Sequence, residues 1–422
     1  MRKRILSVIS FILVIIMMAS SFVGCNMDFD EEGTDESNAS DDISELLTEL
    51  ESKTEKKTTK KTTAKEKETQ PIPGKTQATT TLKSKTYNLG NATDRKYFKT
   101  VGRVQYSDTG ILFDHCANVF EFQGYMTGDL TLNANSSGDN KYNWTYLTVF
   151  IDGERVDKRF CIEGNDKTIT LASFSGNYFH TVRIVKQTEI SNSDSRLKNI
   201  TMTGYLTEAP EERKYYIEFY GDSLTAAYGN IGKPGDSNAG SSLHQDATKS
   251  YAFIASEKLG ADCSILAMSG VGVDKGWCSN PFMYYFSKYS YKRGDTSFDF
   301  KGARVPDVVV IHLGANDDTK GTTKANFIKK GKELIEYIHN GYGKNKYGEN
   351  IPIIWAYDPS EQVPNSWREE VLNSFSGTTK VYSLELEWKS IGAGAGGHPN
   401  VKSHEKHAEL LVNLIKEKNL LK

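Results

Sequence analysis

Cysteine is scarce in this chain, with five residues among 422, and the four that follow Cys25 (Cys116, Cys161, Cys263 and Cys278) form no Cys-x-x-Cys pair. So few thiols make no disulfide framework, and with no histidine at metal-ligand spacing a structural zinc site is unsupported. Neither charge sign is in real excess: 52 basic residues face 54 acidic ones, a formal net charge of -2. A partner such as nucleic acid is therefore not expected. No apolar run reaches the ~20 residues that a spanning helix requires, and no internal repeat is visible. What remains is 38% hydrophobic and 25% charged over a length that exceeds one ordinary domain, which suits two folded domains and a polar tail.

The first residues carry an address. Arg2, Lys3 and Arg4 precede an apolar run over 5–18, followed by Ser21-Phe22-Val23-Gly24-Cys25. A basic start, a short apolar core and small residues before a cleavage point describe an export signal, here 1–25. The ending Gly24-Cys25, with Phe22 where leucine is usual, resembles a bacterial lipobox. That resemblance implies lipidation at Cys25 and an extracytoplasmic protein held to the membrane by a lipid anchor only. Residues 26–85 are Ser, Thr, Lys, Glu and Asp with almost no aromatics. Such a stretch buries too little apolar surface to offset its ordering entropy and is expected to be a disordered tether.

Over 86–208 the pattern changes to short β-rich runs, among them Val119-Phe120-Glu121-Phe122, 146–151 and 181–185, separated by Gly, Asn and Asp turns. Asp152-Gly153 directly after a run is a hairpin signal. Many short strands at this spacing predict a β-sandwich. From 213 to 422 strands alternate with helices: strands at 216–220, 264–267, 307–313, 351–355 and 380–384, helices at 251–259, 325–339, 367–375 and 403–420. The run Asp307-Val308-Val309-Val310-Ile311 is apolar on both faces, as a central parallel strand must be. The fold class predicted is α/β, a doubly wound parallel sheet, preceded by the β-sandwich.

In an open parallel sheet, ligands bind beyond the C-terminal strand ends. The first strand runs into Gly221-Asp222-Ser223-Leu224-Thr225, which sets a serine hydroxyl at the strand-to-helix turn. The second ends at Met268-Ser269-Gly270-Val271-Gly272, where Gly270 could bring its N-H close to a substrate. The third runs into Leu313-Gly314-Ala315-Asn316-Asp317, adding an uncharged amide donor at the same edge. A serine hydroxyl needs a base to become a nucleophile, and His398, in Gly394-Ala395-Gly396-Gly397-His398-Pro399-Asn400, is the candidate. His404 and His407 read as surface residues, and His312 as a hydrogen-bonded neighbour inside the central strand. In the aromatic stretch 276–286 most rings read as packing, with Trp277 the candidate for substrate contact.

Gly221-Asp222-Ser223, Gly270, Gly314-x-Asn316-Asp317 and His398 fall in the order of the four blocks of the SGNH (GDSL) hydrolases, and the resemblance spans nearly all of 213–422. It implies a metal-free, cofactor-free acyl hydrolase with Ser223 as nucleophile, His398 as base, and Ser223, Gly270 and Asn316 as oxyanion donors. More narrowly, the segments 216–225 and 244–252 (His244-Gln245-Asp246-Ala247-Thr248-Lys249-Ser250-Tyr251-Ala252), Phe298-Asp299-Phe300 and Gly397-His398-Pro399-Asn400 resemble carbohydrate esterase family 2. Its members couple a β-jelly-roll to an SGNH domain and deacetylate plant polysaccharides such as xylan and glucomannan. The chain departs from the SGNH pattern where an aspartate usually stands, since Ala395 and Gly396 occupy those places. The expectation is a Ser-His dyad in which a backbone carbonyl of the glycine-rich loop orients the histidine, with Asp317, Glu385 and Glu387 the acids to test as substitutes. The resemblance implies an acetylated polysaccharide as substrate and a monomeric enzyme. The alternatives are another SGNH lipase or thioesterase, and a degenerate carbohydrate-binding surface protein.

Overall fold

A computed structural model describes residues 81–290, 297–317 and 321–422. The export signal with Cys25, and nearly all of the tether, lie outside the described residues. The first described region is built from β1 (Ser84–Asn88), a one-turn helix α1 (Ala92–Arg95), β2 (Phe98–Val101), β3 (Gln105–Ser107), β4 (Gly110–Leu112), β5 (Val119–Ser136), β6 (Thr145–Ile151), β7 (Glu154–Arg155), β8 (Phe160–Ile162), β9 (Lys167–Lys186) and β10 (Ser195–Leu206). All pairings are antiparallel, and β5 and β9, 18 and 20 residues long, pair along most of their length. Because these two run through the whole region, the ten strands are hydrogen-bonded into one sheet. Alternation along β5 buries Phe120, Phe122, Leu130 and Leu132 against Ile184, Ile200 and Phe98, so one face of the sheet holds a single apolar core. The Asp152-Gly153 turn joins β6 to β7, with Ile151 opposite Glu154 and both turn residues at positive φ (54° and 87°), as a two-residue type I′ hairpin requires.

The second region holds β11 (Tyr215–Gly221), β12 (Ala261–Ala267), β13 (Val308–His312), β14 (Ile353–Tyr357) and β15 (Val381–Glu385), all parallel, in the order β12-β11-β13-β14-β15. The helices are α2 (Ser223–Ala226), α3 (Tyr251–Leu259), α4 (Phe282–Phe286), α5 (Lys324–Tyr342), α6 (Asn365–Asn373) and α7 (Val401–Glu417). Val308 and Val310 pack with Phe253, Leu411 and Ile415 of α3 and α7, while Val309 and Ile311 pack with Phe327, Leu334, Ile335 and Val371 of α5 and α6. Successive residues of β13 thus meet helices on opposite faces, which makes the sheet doubly wound. The strand order turns around at β11, so the crevice between the ends of β11 and β13 is the topological switch point where such sheets bind ligands.

The two regions share buried contacts. Val101, Val119 and Val185 join the core formed by β11, β12 and α3. Arg103 is 3% exposed and reaches under the parallel sheet. Its guanidinium lies 3.1 Å from the Tyr220 hydroxyl and 3.6 Å from Glu218, donates to the Phe286 carbonyl, and sits 4.0 Å over the Phe298 ring. The Phe298-Asp299-Phe300 segment therefore sheathes a buried charge. Glu218, fully buried on β11, also accepts from the Tyr220 hydroxyl at 2.6 Å and the Tyr342 hydroxyl at 3.0 Å. A buried ion pair of this kind needs such additional hydrogen bonds to offset its desolvation.

Two histidine expectations are corrected. His404 and His407 are 0% and 1% exposed, because α7 buries the stripe Ser403, His404, His407, Ala408, Leu411, Val412 and Ile415 at helical spacing. His404 Nδ1 accepts the Tyr251 N-H at 3.2 Å. His312 is buried at the end of β13, but neither ring nitrogen makes a hydrogen bond among the described residues, and Glu361 Oε1 stands 3.8 Å away. It is packed against the Tyr251 ring rather than hydrogen-bonded.

Candidate active site

The local sequence fixes the nucleophile candidate first. Strand β11 ends at Gly221, and Asp222 caps the helix that follows by accepting the Leu224 N-H at 3.0 Å. Ser223 is the first helical residue, so its N-H has no intrahelical acceptor, and its side chain is nearly buried. Its Oγ lies 2.8 Å from His398 Nε2.

His398 arrives from a loop 175 residues away. The Gly394 N-H donates to the His398 carbonyl at 2.7 Å and the Ala395 N-H donates to the Gly229 carbonyl at 2.9 Å, closing a tight turn against the exit of α2. Gly396 (φ 63°) and Gly397 (φ 67°) both lie in the left-handed region, where a side chain is strained, and a Cβ on Gly396 would come within 2.8 Å of the Ala239 Cβ. This geometry turns the Gly396 carbonyl to His398 Nδ1 at 3.0 Å. If Nδ1 carries the proton and donates it there, Nε2 is left with a lone pair facing Ser223. Burial holds the imidazole below the usual histidine value, with the Gly396 carbonyl acting the other way.

At the neighbouring strand ends, Asn316 Nδ2 donates to Asp222 Oδ2 at 3.1 Å and to the Val271 carbonyl at 3.0 Å. Asn316 is therefore tied both to the residue before Ser223 and to the loop after β12. In that loop Gly270 has φ 82°, and its carbonyl accepts the N-H of Trp277 at 2.7 Å and of Cys278 at 3.2 Å. A Cβ on Gly270 would stand 3.1 Å from the Trp277 Cβ, so the base of the Trp277 side chain, a residue 48% exposed, packs directly on the glycine. Phe282 and Phe286 of the same aromatic stretch are buried.

The three acids considered as substitutes for the missing aspartate are engaged elsewhere. Asp317 accepts the N-H groups of Val273, Asp274 and Lys275 at 2.8, 2.7 and 3.1 Å, and burial pushes its carboxyl up to about 6 despite those donors. It ties down the loop that carries Trp277. Glu385 accepts the Tyr357 hydroxyl at 3.2 Å, and Glu387 accepts the N-H and hydroxyl of Ser390. Burial also pushes the Asp222 carboxyl well above its ordinary range.

Sequence reasoning passed over two neighbours. The Tyr228 ring lies 4.4 Å from the His398 ring and covers it. Its position just past the short helix that begins at Ser223 was the available signal. Glu189, in the loop between β9 and β10, hydrogen-bonds to Ser269 beside Gly270 across 80 positions of sequence, and no local pattern marks it. Among the described residues no group of three or more His, Cys, Asp or Glu is placed to hold a metal ion.

A serine and a histidine at the switch point of a doubly wound sheet define an SGNH-like α/β region. Comparison with known proteins narrows this. Residues 100–210 match the carbohydrate esterase 2 N-terminal family, and the chain is homologous to family 2 carbohydrate esterases. One relative is the cellulase/esterase CelE of Acetivibrio thermocellus, 28% identical over 331 residues, which cover 75% of this chain and 39% of that protein. The chain thus spans well under half the length of that relative. An acetylxylan esterase / glucomannan deacetylase of Cellvibrio japonicus is 24% identical over 262 residues, 57% of this chain and 69% of that one. A solved family two carbohydrate esterase from Clostridium thermocellum, in complex with cellohexaose, superposes with a TM-score of 0.68 at 27% identity, covering 76% of this chain and 99% of that one.

Proposed function

We propose that this chain is an extracytoplasmic serine esterase that removes O-acetyl groups from plant cell-wall polysaccharides of the xylan and glucomannan type. The observation that carries the reading is the relay from Gly396 O to His398 Nδ1 (3.0 Å) and from His398 Nε2 to Ser223 Oγ (2.8 Å). The homology to family 2 carbohydrate esterases supports the substrate class.

In the first step His398 Nε2 takes the hydroxyl proton as Ser223 Oγ bonds to the ester carbonyl carbon. The carbonyl oxygen becomes an oxyanion, received by the N-H of Ser223, the N-H of Gly270 and the Asn316 amide. In the structure Asn316 Nδ2 donates to Asp222 and to the Val271 carbonyl. The charged oxyanion is a stronger acceptor than the neutral Val271 carbonyl and draws that proton over. The C-O bond to the sugar then breaks and the alcohol leaves with the proton from His398. Water, losing a proton to His398, attacks the acetyl-serine carbonyl; the bond from Ser223 Oγ to carbon then breaks, His398 returns the proton to Oγ, and acetic acid leaves. The imidazolium formed on the way is steadied by a neutral carbonyl instead of a carboxylate, so the pair is a dyad with weaker charge stabilisation than a triad.

The proposal extends to the whole chain: an export signal over 1–25 lipidated at Cys25, a tether over 26–85, a jelly-roll region over 86–208 and an SGNH hydrolase region over 213–422, acting as a monomer. The test is acetate release from acetylated xylan, acetylated glucomannan and a small aryl acetate, with Ser223→Ala as control. Release by the wild type and its loss in the variant are expected; no release from any of the three would end the esterase reading.

A further inference from the structure

The oxyanion loop is held from the other region of the molecule. Glu189 is 1% exposed and belongs to the loop that joins β9 to β10. Its Oε2 accepts the Ser269 N-H at 2.8 Å and its Oε1 accepts the Ser269 hydroxyl at 2.8 Å. This is a two-point clamp on one residue, fixing both its backbone and its side-chain rotamer. On the far side of the same residue, the Ser269 carbonyl accepts the Cys278 thiol at 3.4 Å. Burial pushes that thiol up to about 11, so it stays protonated and able to donate.

The consequence lies in the next peptide unit. In a trans peptide the C=O of Ser269 and the N-H of Gly270 point in opposite directions. Holding the carbonyl toward Cys278 aims the Gly270 N-H away from it. The loop's next residue, Val271, supplies the carbonyl that positions Asn316 Nδ2 at 3.0 Å. Two of the three oxyanion donors thus depend on one loop. That loop is anchored by a buried carboxylate that the α/β region does not itself provide.

Glu189 also reaches the other side of the site. Its Oε1 accepts Gln245 Nε2 at 3.1 Å, and its N-H donates to Gln245 Oε1 at 3.1 Å. Gln245 Nε2 in turn donates to the Gly240 carbonyl at 3.1 Å. Gly240 lies against the Tyr228 ring that covers His398.

We infer that Glu189 is a positioning residue for the oxyanion hole, and that the β region is a working part of the active site in addition to any role in gripping glycan. The inference rests on the esterase reading above. A carboxylate suits the task because every atom it faces is a donor: two from Ser269 and one from Gln245. An amide in its place must turn its NH2 toward at least one of them, so Glu189→Gln keeps the volume and spoils the clamp.

The test uses the full chain with Glu189→Gln and Ser269→Ala, measuring kcat and KM on an aryl acetate, thermal unfolding, and affinity for an aryl boronic acid as a tetrahedral mimic. Misplacing donors acts on the tetrahedral state and leaves ground-state binding alone. For Glu189→Gln, kcat is expected to fall about 10- to 100-fold, with KM within about 2-fold and boronate affinity falling by a similar factor to kcat/KM. Ser269→Ala removes one arm of the clamp and is expected to lose about 3- to 10-fold in kcat with the same split. Should Glu189→Gln fail to fold, Ser269→Ala decides by the same readouts. A kcat within 2-fold of wild type, or a fall in kcat with boronate affinity unchanged, would overturn the inference. A wild type that hydrolyses the aryl acetate only while Ser223 is present, alongside a normal Glu189→Gln, would overturn the inference alone and leave the esterase reading standing.

Discussion

The β region and the α/β region are both built on sheets, but they put their functional side chains in different places. In the α/β region Ser223, Asn316 and Gly270 follow the C-terminal ends of strands, where the backbone is free and the crevice opens. In the β region the side chains that matter leave the sheet altogether. Arg103 runs under the parallel sheet to Glu218, Arg155 meets Asp246 at 2.7 Å, Arg159 donates to the carbonyls of Ser242, Leu243 and Gln245, and Glu189 holds Ser269. In the proposed function one region carries the reacting groups, and in the inference drawn from Glu189 the other fixes them. The 244–252 segment is informative in this light: Gln245, Asp246 and Thr248 all bond across to the β region, so the segment latches the two together.

The sharpest division is expected from His398→Ala. It should reduce kcat about 10⁴-fold while unfolding stays close to wild type, because it removes only the base. Glu385→Gln and Glu387→Gln, by contrast, should stay within about 2-fold, since neither carboxylate is bonded to the imidazole. A loss in either as severe as that of His398→Ala would end the dyad reading. On the β side the large effect should be on stability. Arg103→Ala strips the partner from fully buried Glu218 and is expected to cost about 3–5 kcal/mol, seen as one lowered melting transition for both regions. Two separated transitions would break the comparison by showing regions that unfold independently.

Gly396→Ala comes next. An added Cβ in the left-handed region costs about 1–2 kcal/mol, and it would meet Ala239 and Tyr228 at 2.8 and 3.0 Å. The shift of the Gly396 carbonyl should cost roughly 10-fold in kcat, measured on an aryl acetate. For pH, His398 acts as a base only when neutral, and burial lowers its value. The acidic limb of kcat/KM should therefore fall below the ordinary histidine value of about 6.5, with activity lost as pH drops through it. A limb at or above that value would contradict the burial argument. The smallest effect is Trp277→Ala, expected to raise KM for the polymer about 2- to 10-fold, on the order of 1 kcal/mol, and to leave the small ester unaffected.

How much of this was legible in the sequence follows the same line. Periodicity placed α3 on its observed bounds of Tyr251–Leu259 and each parallel strand to within a few residues, because those signals are local. The strand-end rule led to Ser223, Gly270 and Asn316 for the same reason. His404 and His407 stand at helical spacing, but which face of that helix is buried is shown by the stripe they continue with Leu411 and Ile415. Glu189 and Arg103 left no trace, since their partners stand 80 and 117 positions away and a buried charge resembles a surface one until its environment is known. The tight pairing of β5 with β9 into a single sheet was equally hidden, because register is a relation between strands.

The most direct test of the Ser223-His398 pair is the intact mass and peptide map of the protein after exposure to a fluorophosphonate, which phosphonylates an activated serine. The account predicts one adduct, on Ser223, formed quickly in the wild type and far more slowly in His398→Ala. A wild type left unlabelled, or labelled on a different serine, would contradict it.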